Sequence, residues 1–96
     1  MRIQRLMHLA RSTPDMPADQ EFSRYEIDAV IRLKTPKGFK PGDVPPISLA
    51  VRWVAELGGY TGRSSGGPPG AKTISRGLDR IQLAAQLLKA DAKYDQ

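Results

Sequence analysis

Five apolar residues near the end of the sequence, Ile74, Leu78, Ile81, Ala85 and Leu88, recur at steps of four, three, four and three. That spacing is the narrow heptad stripe of a helix meeting another helix. A chain that carries it must supply helical surfaces to cover it. Ala84 and Leu87 widen the stripe on one side. Thr73 is placed to cap this helix, which is expected to reach about Ala90. Gly77 inside it costs about 1 kcal/mol against alanine, so it is expected to mark a close contact with a neighbouring helix.

Three more segments have helical signatures, and none shows a convincing strand alternation. From Met1 to about Ala10, Ile3, Leu6, Met7 and Ala10 share one face at i, i+3, i+4 and i+7. No capping residue precedes this helix, so it reads as one cut within its length. Thr13-Pro14-Asp15-Met16-Pro17 ends it, because proline cannot continue a helix. Ser23-Arg24-Tyr25-Glu26 is a capping-box pattern, and Ile27, Val30 and Ile31 form the stripe behind it. The span 35–46, with four prolines and two glycines, is expected to be a linker or extended connector. A third helix follows from about Ser48 to Leu57, with Ile47, Ala50, Val51, Val54 and Leu57 facing inward. Gly58-Gly59 stops it, since glycine enters the left-handed conformation without steric penalty. The loop from Tyr60 to Gly70 has little intrinsic reason to fold. The expected fold is mostly α: a small helical domain of about four helices, with a Gly/Pro-rich loop between the last two.

Composition narrows the function classes. Ninety-six residues allow one small domain, or one domain and the end of another. No stretch approaches the roughly 20 apolar residues of a membrane span. Gln4, Arg5 and His8 interrupt any apolar segment behind the basic N-terminus, which argues against a secretory signal. A cytoplasmic location is expected by default. With no cysteine and a single histidine, His8, there is no thiolate metal site and no cysteine nucleophile. The net charge of +5 and pI near 9.9 suit a polyanionic environment. The cations are spread along the chain, however, so a merely basic solvated surface fits as well.

Gly70-Ala71-Lys72-Thr73 looks like the end of a phosphate-binding loop, but that pattern needs glycine immediately before lysine, and Ala71 intervenes. What remains is that Arg63 and Lys72 are candidate phosphate contacts at the start of the last helix, against the plainer reading of a solvated hinge. Two-metal nucleases need converging carboxylates. Asp15, Asp19 and Glu21 lie in a proline-containing loop, and Glu26, Asp28 and Glu56 sit among cations on helix faces expected to be exposed. No metal site, catalytic residue or cofactor is therefore expected. Ser23, Ser48 and Ser75 stand near helix starts, where capping is the expected role. Trp53 and Tyr60 have the π-faces to stack on bases, but a lone tryptophan on a short amphipathic helix points to core or interface.

The ordered run Val54-Ala55-Glu56-Leu57-Gly58-Gly59-Tyr60, Gly62-Arg63, Gly66-Gly67-Pro68-Pro69-Gly70, Lys72-Thr73-Ile74, Arg76-Gly77-Leu78 resembles the C-terminal domain of bacterial cut-and-paste insertion-sequence transposases. Those enzymes carry a DDE triad on a ribonuclease H-like core. Residues 1–21 look like the last helix of such a core and its exit loop, and residues 22–96 like the helical dimerisation domain. The resemblance implies a fragment without the catalytic residues, not an enzyme by itself, that dimerises protomers during synapsis of transposon ends. The implied partner is a second copy or a full-length transposase protomer. DNA contact through the full-length complex is compatible with it, and neither a membrane nor a small-molecule ligand is expected. Interface candidates are Leu78, Ile81, Ala84, Ala85, Leu87 and Leu88, and the family-like loop motif is Gly58, Gly59, Tyr60, Gly62, Arg63, Gly67, Pro68, Pro69 and Gly70. The competing readings are a small basic DNA-binding protein and an unrelated helical interaction module.

Overall fold

A computed structural model describes residues 2–62 and 69–94. Four helices run in chain order: α1 (Arg2–Ser12), α2 (Arg24–Lys34), α3 (Ile47–Leu57) and α4 (Ala71–Tyr94), with a single 3-10 turn at Ala18–Gln20. No strand is formed among the described residues, apart from one isolated antiparallel bridge between Pro17 and Pro46. Among the described residues no helix is long and apolar enough to cross a membrane.

The start of α2 is the capping box expected from its sequence. The Glu26 amide donates to Ser23 Oγ at 3.1 Å, and the Ser23 amide donates to Glu26 Oε1 at 2.8 Å. The start of α3 is different. Its N-cap is Pro46, with no side-chain cap, so Ser48 does not act as expected. The Ile47 and Ser48 amides donate instead to the Met16 and Pro14 carbonyls, at 2.7 and 3.2 Å. Free N–H groups at a helix start need an acceptor, and here the backbone of the first connector supplies it. Thr73 likewise is not the cap of α4. The helix begins at Ala71, and the Thr73 hydroxyl donates to the Gly70 carbonyl at 3.0 Å.

A continuous apolar core ties the elements together. Leu6 of α1, Ala18 and Phe22, Ile27, Val30 and Ile31 of α2, Ile47, Val51, Trp53 and Val54 of α3, and Ile74, Leu78, Ile81 and Ala85 of α4 are all buried in it. Helix α4 packs along both α3 and α2, and α1 lies mainly against α3. The stripe on α4 is thus covered by two helices of its own chain, more fully than the single partner α3 could manage.

The proline-rich span 35–46 is not a free linker. Phe39 packs edge-on against Trp53, with ring centroids 5.2 Å apart, and the Gly42 amide donates to Asp28 Oδ1 at 3.0 Å. Pro45 is fully buried, and its carbonyl accepts the Ala18 amide at 2.9 Å. Proline cannot join a regular ladder, but it still offers a carbonyl and an apolar ring. This connector uses both.

The α3–α4 contact is made by backbone. A Cβ at Gly77 would overlap the Val54 carbonyl, and one at Gly58 would overlap the Thr73 carbonyl and come within 2.9 Å of the Gly77 nitrogen. The close contact expected at Gly77 is present, and its counterpart is Gly58. Moving back along α3 from Gly58 to Val54 moves forward along α4 from Thr73 to Gly77. The two helices therefore run in opposite senses across this contact.

Candidate functional site

Helix α4 has two apolar faces. The inner one holds Ile74, Leu78, Ile81 and Ala85, none more than 8% exposed. On the opposite side Leu83 is 64% and Leu87 63% exposed. A step of two residues turns a helix by about 200°, so the shift from Ile81 or Ala85 to Leu83 or Leu87 crosses to the far face. An isolated exposed leucine needs no explanation, but two at i and i+4 form a contiguous patch.

Of the six residues expected at an interface, Leu78, Ile81 and Ala85 serve this chain's own core and are not open to a second chain. Ala84 and Leu88 are half-buried at the edge of that core, and Leu87 stands in solvent. Leu83 was not among the six. The signal for it was present, as an apolar pair four residues apart that the main stripe does not include.

The loop motif after α3 opens on a helix stop. The Gly59 amide donates to the Glu56 carbonyl at 3.1 Å, and the Tyr60 amide to the Ala55 carbonyl at 2.9 Å. This is a Schellman termination, with Gly59 at φ +106 as its left-handed residue. The two adjacent glycines therefore do different things. Gly59 turns the chain, while Gly58, at φ −90, admits α4. Gly62 is also left-handed, at φ +74. Tyr60 is half-buried against the core and Trp53 is buried within it, so Trp53 does not present a face for base stacking. Pro69 and Gly70 lead into α4, and Lys72 is exposed on its first turn. Arg63, Gly67 and Pro68 lie outside the described residues.

The carboxylates are engaged in holding helices. Glu26, only 7% exposed, accepts from Arg2 of α1 at 2.8 Å and from Gln82 of α4 at 2.7 Å, besides closing its own capping box. Arg2 also lies over the Phe22 ring, 5.4 Å from its centroid. Glu56 pairs with Lys34 at 3.2 Å and Arg52 at 3.5 Å. At the surface Glu21 takes a two-pronged contact from Arg5, at 2.7 and 3.2 Å. That hydrogen bond, with the charge behind it, holds the Glu21 carboxyl below its usual range. Asp19, Asp28 and Asp43 line one shallow cleft, yet Asp28 and Asp43 accept the Gly42 and Lys40 amides. Among the described residues no three His, Cys, Asp or Glu side chains are arranged to hold a metal ion.

What the site offers is therefore an exposed apolar helix face on a scaffold whose interior is otherwise satisfied. No curated protein and no solved structure matches the chain. The family model described as the transposase Tn5 dimerisation domain matches residues 1–95. An all-helical fold, a glycine-mediated helix pair and an unpartnered apolar face on its longest helix accord with that match, and the chain belongs to the Tn5 transposase dimerisation domain family.

Proposed function

We propose that this domain joins two transposase protomers through the outer face of α4, and that it takes no catalytic part itself. The observation that carries the reading is the exposure of Leu83 and Leu87 opposite a face that the core already uses. Burying a leucine side chain contributes about 1.5–3 kcal/mol, so four of them across a symmetric contact suffice to drive weak association. In this reading the surplus of cations keeps the paired domains beside DNA without a base-reading element. The engagement of Glu21, Glu26 and Glu56 in ion pairs supports a structural role for the acidic residues.

Sedimentation of the wild type and of a Leu83→Lys/Leu87→Lys variant over a concentration series tests the proposal. Both leucines are exposed in the single chain, so the substitutions leave the fold intact and act only on association. The wild type should self-associate with rising concentration and the variant should stay monomeric. Equal association of the two chains would remove this face from the interface.

A further inference from the structure

The outer face of α4 carries charge as well as leucine, in an order that sets an orientation. Arg80, Leu83, Leu87 and Asp91 follow one another at steps of three, four and four residues. At 3.6 residues per turn they fall within a stripe about 80° wide, with Arg80 and Asp91 on the same side of the leucine pair. Arg80 and Asp91 are both exposed, and neither enters any of the ion pairs among the described residues. Arg76, one turn before Arg80, is exposed on the same stripe, which thus reads positive, positive, apolar, apolar, negative, with Arg80 and Asp91 flanking the leucines directly.

We infer that two copies of the chain pair through α4 in antiparallel sense, with Arg80 of each copy facing Asp91 of the other. The inference rests on the proposed interface and adds its direction and register. A two-fold axis perpendicular to the helices and passing near residue 85 places Leu83 opposite the partner copy's Leu87, and Arg80 opposite the partner copy's Asp91. It also keeps each residue on its own side of the contact line, so both charged residues meet on one side, twice by symmetry. The parallel arrangement would set Arg80 level with Arg80 and Asp91 level with Asp91 on opposite sides of the contact line, so that neither charge meets its complement. Charge complementarity selects the antiparallel pair, and the leucines supply its attraction.

Charge swaps in the homodimer separate the two arrangements. In the antiparallel pair, Arg80→Glu alone puts two acidic residues together at both ends and should weaken dimerisation roughly tenfold. Adding Asp91→Lys to the same chain restores opposite charges and should recover wild-type association. In the parallel pair neither change matters, since each position faces its own copy. Mixing the wild type with the Arg80→Glu/Asp91→Lys chain provides a second readout. Antiparallel pairing disfavours the mixed dimer, whereas parallel pairing enriches it. Loss on the single swap, recovery on the double and depletion of mixed dimers is the expected set. Unchanged association of the single swap, or enrichment of mixed dimers, overturns the orientation. If the Leu83→Lys/Leu87→Lys chain dissociates while the swaps have no effect, only the orientation fails. If that leucine variant still dimerises, or the wild type never does, the interface itself fails and the orientation falls with it.

Discussion

Replacing Gly77 with alanine tests the central packing contact, because two opposing effects predict opposite signs. In an exposed helix interior, glycine to alanine stabilises by about 1 kcal/mol, since alanine loses less backbone freedom on folding. At Gly77 the added methyl overlaps the carbonyl of Val54 and lies 2.9 Å from a Val54 methyl. The first of these is backbone and cannot rotate aside, so α3 and α4 must separate. Overpacking of this kind costs typically about 1–3 kcal/mol and occasionally more. With backbone on both sides, the upper end of that range applies. The helix-propensity gain offsets part of it, leaving a net loss of roughly 2 kcal/mol. For a domain of this size, that lowers the melting temperature by about 8–16 °C. Urea unfolding at a single protein concentration, followed by circular dichroism, measures the change directly. Gly58→Ala should behave alike, because its φ of −90 suits any residue and what stands in the way is again backbone, the Thr73 carbonyl and the Gly77 nitrogen. The two substitutions should also be non-additive, since a pair of helices already forced apart by one methyl has room for the other. A Gly77→Ala chain as stable as the wild type, or more stable, would refute backbone contact between α3 and α4.

Glu26→Ala should cost roughly 2–4 kcal/mol by denaturant titration, because it removes the capping box and the acceptor for both Arg2 and Gln82; Glu26→Gln, which keeps one acceptor oxygen, should cost less, and equal losses would argue against the hydrogen-bond account. Thr35 closes α2 in the left-handed region at φ 44, where a β-branched residue is disfavoured. Thr35→Gly should therefore raise the urea midpoint by the equivalent of about 0.5–1 kcal/mol, the relief of the strained conformer less the entropy of glycine in the unfolded chain. For Glu21 the folded carboxyl titrates below its unfolded value, so the Arg5 pairing stabilises the fold above the unfolded pKa and that contribution fades as pH falls through the lower folded one. An NMR titration should show the Glu21 midpoint rising in an Arg5→Met chain, and an unmoved midpoint would show that the pairing does not persist in solution.

Much of this fold is local and therefore legible along the chain. The Ser23–Glu26 box, the glycine stop after Leu57 and the inward stripe of α4 each depend on residues within a few positions of one another. Periodicity accordingly finds all four helices and capping chemistry the start of α2, while α4 continues to Tyr94, beyond the expected Ala90. Gly77 was also legible, because a glycine kept inside a good helix implies a contact. The fate of residues 35–46 was not, since proline-rich segments carry no period and their order comes from distant groups: Trp53 for Phe39, Asp28 for Gly42 and Ala18 for Pro45. The cap of α3 was hidden for the same reason, its acceptors being backbone carbonyls some thirty residues earlier, with no side-chain signature.

The family and the helical class were written in the sequence, because helices form from neighbours and the loop motif is a linear string. Which face of α4 remains for a partner was decided only by tertiary structure. Taken alone, the helix shows a dominant stripe, Ile74 to Leu88, and that stripe looks like the interface. Once α2 and α3 close over it, Leu78, Ile81 and Ala85 are no longer available, and the weaker pair Leu83–Leu87 becomes the exposed surface. Periodicity ranks faces by how apolar they are, whereas a binding surface is whatever apolar area the chain leaves uncovered. That remainder exists only after every other helix has packed.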